Sequence, residues 1–339
     1  MAADRRGRDL DEDDVRVRPG RGKSRPRTKD RPGHVDAAEG WVVTVDRGRY
    51  GCLVETSGGR LHVVAMKARE LGRKGVVVGD RVALVGDLSA EVDALARIVR
   101  VEPRATVLRR TADDDDPVER VVVANADQLA VVTALADPEP RTGLIDRCLV
   151  AAYDSGLQPL LLLTKSDLKS PDELLETYRA LDVPHVVTSR YGDLDELRAR
   201  LQGHRTVFVG HSGVGKSTLV NVLVPGALRA TGVVNSVTGR GRHTSTSAIV
   251  LELPGGRPDA GWVIDTPGIR SFGLAHVDPS RVIGAFPDLA AGTDACPRGC
   301  THDEPECALD AWVADGHADR ARLESLRRLL RARETPDAD

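Results

Sequence analysis

The chain has 339 residues, 41% of them hydrophobic but only 3% aromatic, and its 48 Lys+Arg against 51 Asp+Glu give a net charge of −3. That length allows two or three domains with aliphatic cores, and the near-balance of charge excludes a globally basic nucleic-acid coat while leaving room for a local basic patch. No apolar run reaches the ~18 residues of a membrane span, the charged first twenty residues lack an apolar signal core, and five cysteines are too few for a disulfide framework, so a soluble, cytoplasmic, membrane-free protein is expected.

Residues 1–38 have almost no apolar periodicity: an acidic stretch (Asp9 to Asp14) precedes a basic run from Arg16 to Arg31 spaced by Gly and Pro. Such a segment buries too little surface to offset its ordering entropy. It reads either as a solvated tail or as an arm that orders on RNA phosphates. Over 39–104 the pattern turns to short β-type runs (41–45, 51–54, 61–64, 81–85) separated by Gly-rich turns. These predict a small all-β barrel, OB-like in length, with an SH3-like barrel also compatible. Trp41 and Tyr50 are its only stacking aromatics, so any RNA contact there would rely on backbone and basic groups.

Over 105–288 strand and helix patterns alternate from about Val107. The strands at 129–133, 159–164, 185–188, 206–209 and 262–265 are nearly continuous in apolar residues, the mark of a mainly parallel sheet buried on both faces. This is a doubly wound α/β domain. Residues 247–265 hold two strands around Pro254-Gly255-Gly256, an expected hairpin. In 289–339, Cys296, Cys300, His302 and Cys307 precede a basic amphipathic helix, Asp319 to Arg333, whose Leu323, Leu326, Leu329 and Leu330 form a stripe to pack on the rest of the protein.

Gly210-His211-Ser212-Gly213-Val214-Gly215-Lys216-Ser217-Thr218 fits G-x-x-x-x-G-K-[ST], between a strand pattern and a helix pattern, as a phosphate loop needs. Its glycines let backbone N–H groups converge on phosphate oxygens at a helix N-terminus. Lys216 would bridge the β- and γ-phosphates, and the Ser217 hydroxyl would ligate Mg²⁺. Asp265-Thr266-Pro267-Gly268 ends the next strand pattern, where a carboxylate can hold Mg²⁺ and the Gly268 N–H can approach the γ-phosphate. Thr164-Lys165-Ser166-Asp167 ends a third. Asp167 can accept guanine N1–H and N2–H₂, a donor pair adenine lacks, with the Lys165 stem over one face of the ring; taken alone it also reads as a helix cap. Thr188-Ser189-Arg190 can close over the base edge. Cys296, Cys300, His302 and Cys307 supply a Cys₃His set for one structural Zn²⁺, the alternative being free thiols beside a chance histidine.

The phosphate-loop, DTPG and TKSD elements resemble the corresponding GTPase motifs in permuted order, with TKSD first. Flanked by a barrel and a Cys/His segment, residues 40 to 330 closely resemble the ribosome small subunit-dependent GTPase (RsgA) family of circularly permuted GTPases. Ala124-Asn125-Ala126-Asp127, Gly239 to Thr244 and Gly299-Cys300-Thr301-His302 are further matches. The resemblance implies a slow GTP hydrolase using GTP/GDP and Mg²⁺, stimulated by the small ribosomal subunit and acting in its late maturation. The barrel, zinc module and arm would grip rRNA, and the protein is expected to be a monomer. The resemblance also points to His243, in an expected switch over 235–246, as the water-positioning group, because the apolar Ile269 after DTPG cannot orient water. Thr244 or Thr246 could complete the Mg²⁺ ligands. The chain departs from the family pattern twice: Thr164 stands where the usual motif has Asn, and the C-x₃-C-x-H-x₄-C spacing is slightly short. An ATP-dependent phosphate-loop enzyme and a non-enzymatic rRNA-binding scaffold are the rival readings.

Overall fold

Five strands that alternate in burial make the N-terminal barrel: β1 (Ala38–Asp46), β2 (Arg49–Thr56), β3 (Gly59–Lys67), β4 (Arg81–Gly86) and β5 (Ala96–Val101). Their order is β1-β2-β3-β5-β4, closed by β4 pairing back on β1, with β3 and β5 parallel. That closure is OB-like rather than SH3-like. Val42, Cys52, Val54, Val63, Val82, Leu84 and Ile98 fill the interior. Val43 and Leu53 point the other way and are buried too, because that outer wall rests on the α/β core.

In the computed structural model the described residues are 34–57, 59–72, 75–91, 93–111, 119–226, 248–255, 260–266, 274 and 276–332. Residues 1–33 of the charged arm, the switch segment 235–246 with His243, and Pro267, Gly268 and Ile269 lie outside them. Residues 34–339 cluster as one compact unit.

After the barrel come β6 (Val107–Thr111) and β7 (Glu119–Ala124), an antiparallel ribbon outside the main sheet. The sequence pattern, read as strand-helix alternation from Val107, misses this ribbon. Arg109, Arg110, Glu119 and Arg120 break the continuous apolar signal that marks a strand buried on both faces. The α/β sheet then runs β8 (Gln128–Ala134), β9 (Gln158–Thr164), β10 (His185–Val187), β11 (Arg205–Val209), β12 (Ile249–Glu252) and β13 (Trp262–Asp265), in the order β10-β9-β8-β11-β13-β12. The first five are parallel; β12 is antiparallel to β13, the expected hairpin. β12 also meets β1 at Ile249 and Thr44, which joins barrel and α/β sheet into eleven continuous strands.

Odd and even positions of each parallel strand feed different cores. Ala130, Val132 and Phe208 pack under α3 (Asp195–Leu201) and α4 (Lys216–Leu223). Leu129, Val131 and Val207 pack under α1 (Thr142–Asp154) and α2 (Asp172–Tyr178). The C-terminal helices α5 (Pro279–Ile283), α6 (Pro287–Ala290), α7 (Leu309–Ala314) and α8 (Arg320–Ala332) continue that second core. Leu323, Leu326 and Leu329 of α8 are wholly buried, as their spacing predicts, and burying each such side chain contributes about 1.5–3 kcal/mol. Arg328 reaches Asp146 of α1 at 3.0 Å and Arg147 reaches the Ala332 carbonyl at 2.8 Å, so polar contacts pin both flanks of the stripe. No described helix is long and apolar enough to cross a membrane.

The Ala124-Asn125-Ala126-Asp127 segment forms the junction between barrel and sheet, away from the strand ends that carry the motifs. Asn125, at φ +56°, donates to the Gly79 carbonyl and accepts from the Ala105 N–H, both at 2.8 Å. The buried Asp80 holds Arg104 with both carboxylate oxygens, at 2.7 and 2.8 Å. Asp127 takes the Arg205 N–H and lies 3.0 Å from His204 Nδ1. Trp41 of the barrel meets Trp262 edge to face, with Arg205 over its ring.

Candidate functional site

Strand connections run outward from β8 in one direction and from β11 in the other. The boundary between those neighbours is therefore the switch point of the sheet, where α/β proteins bind ligands beyond the strand ends. Residues 210–215 turn there from β11 into α4. Gly210 passes so close to Val132 that any Cβ would collide with its carbonyl oxygen, which is why a glycine is needed at that point. Gly213 and Gly215 have φ of +82° and +93°. α4 carries no acidic residue in its first turn, so its N-terminal field is left for an anion. Ser212, Gly213, Ser217 and Thr218 are exposed, His211 is half-buried with Nδ1 2.9 Å from the Ser212 oxygen, and Val214 is buried in the core beneath.

Lys216 lies 3.4 Å from both Asp265 Oδ1 and the Thr266 carbonyl. The Thr266 hydroxyl donates to the Phe208 carbonyl at 2.9 Å, which ties the DTPG strand to the phosphate-loop strand. Asp265 Oδ1 is buried, and its polar neighbour among the described residues is the Lys216 ammonium at 3.4 Å, an ion pair too poorly aligned to count as a hydrogen bond. A buried carboxylate oxygen held only by a long ion pair fits a hydrated cation such as Mg²⁺, with the exposed Ser217 hydroxyl in the first turn of α4 as a further oxygen ligand. Gly268 and His243 lie outside the described residues.

At the end of β9 Thr164 is buried, and its hydroxyl donates to the Val214 carbonyl at 2.6 Å. The hydroxyl at this position therefore makes a direct link to the phosphate loop, a role the sequence reading did not assign. Lys165 is at φ +60°, and its ammonium donates to the Asp137 carbonyl. Pro138 of the same loop lies beside Gly213, its Cδ 3.6 Å from where a Cβ on that glycine would sit. Asp137 and Pro138 were not singled out from the sequence; the available signal was a Pro-rich stretch, 138–140, at the end of a strand beside the phosphate loop. Asp167 is exposed, and its Oδ1 lies 3.4 Å from the Arg190 N–H. A carboxylate acceptor beside an amide donor is the complement of guanine's edge, where N1–H sits beside the O6 acceptor. Ser189, half-buried, begins the turn that presents that amide.

The C-terminal module gathers its four expected ligands. Cys296, Cys300, His302 and Cys307 offer ligand atoms that all lie within 4.8 Å of one another. Cys296 Sγ is 3.7 Å from His302 Nδ1 and 3.9 Å from Cys307 Sγ, and Cys307 Sγ is 3.8 Å from that nitrogen. Bonds of about 2.3 Å to sulfur and about 2.0 Å to nitrogen at tetrahedral angles put ligand atoms roughly 3.5–3.8 Å apart, so the set fits Zn²⁺ despite its short spacing. Burial pushes the Cys300 thiol up to about 12 and lowers the pKa of His302. An adjacent dication reverses the first shift and suits the second, because the ligand forms are thiolate and neutral imidazole. Arg327 of α8 donates to the His302 carbonyl at 2.8 Å and clamps Asp310 of α7, which orients the ligand loop.

The RsgA GTPase family model matches residues 101–275. Curated relatives described as small ribosomal subunit biogenesis GTPase RsgA include that of Pseudomonas aeruginosa (strain LESB58), 42% identical over 265 residues covering 75% of each chain, and that of Azotobacter vinelandii, 43% identical over 226 residues covering 64% of each. Among solved structures, YjeQ from Thermotoga maritima is similar with a TM-score of 0.63 at 26% identity, covering 88% of this chain and 98% of its own. The structure of YloQ, described as a circularly permuted GTPase, shares the fold with a TM-score of 0.61 at 24% identity, covering 90% and 97%.

Proposed function

This chain belongs to the RsgA GTPase family and hydrolyses GTP, and from that premise we propose that it does so on the small ribosomal subunit during that particle's maturation. The observation that carries the reading is the convergence of three separate strand ends on one crevice: the phosphate loop, Asp265, and Thr164 to Asp167. Residues 210–218 cradle the phosphates, and Lys216 balances the charge that develops on the β–γ bridge. Asp167, with the Arg190 N–H and Ser189 beside it, selects guanine over adenine; this separates the site from that of an ATP-dependent enzyme. Ser217, with Asp265 facing it, would hold Mg²⁺, which would supply positive charge against the triphosphate. Gly268 offers a backbone N–H to the γ-phosphate. His243 positions the water that attacks the γ-phosphorus as GDP leaves, and Thr244 or Thr246 adds a hydroxyl ligand.

Cys296, Cys300, His302 and Cys307 would hold Zn²⁺, which would staple a module whose core continues into α1. The OB-like barrel, this module and the arm at 1–38 contact rRNA, and the chain acts in the cytoplasm as a monomer, with working limits at 39–104, 105–288 and 289–339. An enzyme of this kind turns over slowly alone, and a partner that completes the site raises the rate by about 10³–10⁵. GTP turnover measured with and without purified small subunits tests the proposal, with naked rRNA as the control. Stimulation by intact subunits is expected; equal turnover in all three conditions overturns it.

A further inference from the structure

The chain has three Trp, four Tyr and three Phe. Among the described ones, Tyr50, Tyr178, Phe208, Trp262 and Phe286 are buried and Trp41, Tyr153 and Trp312 half-buried. Of the described aromatic residues, Tyr191 alone stands in solvent, 89% exposed. Its position is not arbitrary. It follows Arg190, whose N–H faces the purine-reading Asp167. Both residues occupy the corners of a tight turn closed by the Gly192 N–H on the Ser189 carbonyl at 3.3 Å. A Cβ on Gly192 would sit 2.7 Å from Ser189 Oγ, so the turn accepts no larger residue without shifting. Upstream, the Thr188 N–H is bonded to the Leu163 carbonyl at 2.7 Å, which fixes the turn against the strand that carries Asp167. Leu168, which follows Asp167 in the chain, is 58% exposed. The residue next to Asp167 in the chain and the residue next to its Arg190 partner thus both expose apolar side chains.

A purine has two π-faces, and leaving either in water forgoes stacking energy. The Lys165 stem, anchored by its ammonium on the Asp137 carbonyl, can cover one. We propose that Tyr191 covers the other: its ring stacks on the guanine whose edge Asp167 reads. The Arg190 guanidinium already lies over the Tyr191 ring at 5.5 Å, leaving the ring's opposite face for the base in an Arg–Tyr–base stack. The turn fixes the backbone from which the ring projects, so its position relative to Asp167 is set before binding. This inference rests on the assignment of Asp167 as the guanine reader.

Stacking on the base is the same in the ground state and the transition state, so its loss raises KM and leaves kcat alone. Calorimetric titration of the full chain with GDP and Mg²⁺ tests the idea in wild type, Tyr191→Ala, Tyr191→Phe and Asp167→Ala. Tyr191→Ala is expected to weaken GDP roughly tenfold, to raise the KM for GTP by the same factor at constant kcat, and to keep the wild-type melting temperature. Tyr191→Phe is expected to bind like wild type. If Asp167→Ala binds GDP as tightly as wild type, the reading of the base pocket fails. If Asp167→Ala is weakened but Tyr191→Ala is not, the stack alone is overturned. The same holds if Tyr191→Phe loses as much as Tyr191→Ala, or if Tyr191→Ala binds GDP normally and loses only subunit affinity.

Discussion

The Thr164 hydroxyl oxygen and the Val214 carbonyl oxygen are 2.6 Å apart, and this hydrogen bond ties the end of β9, which leads into Asp167, directly to the phosphate loop. Both residues are buried. Replacing Thr164 by Val keeps the shape and leaves the Val214 carbonyl without its donor, a loss of about 1–3 kcal/mol. Chemical denaturation is expected to show that loss, together with weaker GDP binding. Thr164→Ser restores both; a Ser variant as damaged as Val would mean that the methyl group, not the hydroxyl, matters.

Asp167→Asn exchanges a carboxylate oxygen for an amide donor. Two charge-assisted hydrogen bonds to guanine are lost, at roughly 1.5 kcal/mol each, so GTP affinity should fall about 10²-fold. A 2-oxo purine presents the matching acceptor, so xanthosine triphosphate should gain. Competition binding with GTP, XTP and ATP reads the exchange directly.

His243→Ala removes the group assigned to the attacking water. A single-turnover assay should show hydrolysis reduced by about 10²–10⁴, with GDP and GTP affinities at the wild-type level. Loss of affinity in step with rate would assign His243 to binding instead.

Metal analysis should find one zinc per chain, absent from Cys307→Ser. Because Cys307 and Leu309 share a core with Leu323 and Leu326 of α8, chelation should lower the melting temperature of the α/β unit as well as that of the module. Leu326→Ala should cost about 2–5 kcal/mol through the cavity it leaves while zinc stays bound. That contrast separates loss of the staple from loss of the packing behind it.

The His276 side chain is 4% exposed, faces Asp154 at 3.9 Å, and has no hydrogen-bond partner for Nδ1 among the described residues. Burial lowers its pKa, and Asp154 only partly opposes this. Between the lowered folded value and the unfolded value of 6.5, the unfolded chain binds more protons than the folded one. Stability due to the neutral ring is therefore present above pH 6.5 and is lost as pH falls below it. Melting curves from pH 8 to 5.5 should show wild type losing more than His276→Gln; parallel curves would refute the assignment.

Much of this site was legible before folding, for a local reason. The phosphate loop works through consecutive backbone amides, so nine contiguous letters, Gly210 to Thr218, carry its chemistry. Cys296 to Cys307 are close in the chain, so spacing alone announced the ligand set. The β6–β7 ribbon was not legible, because a strand pair with charged residues lacks the apolar continuity that betrays a buried parallel strand.

The amino-acid sequence by itself singled out the groups proposed to meet phosphate, guanine and zinc, and showed that their order along the chain is permuted. Only the tertiary structure decided that a threonine hydroxyl joins the two halves of the nucleotide site, that Asp137 anchors Lys165, and that Thr44 and Ile249 fuse barrel and sheet. The physical reason is that each of these contacts joins residues far apart in the chain. Their meeting is set by strand order and shared cores, through which chain closure is repaid by burial, and no local periodicity records it.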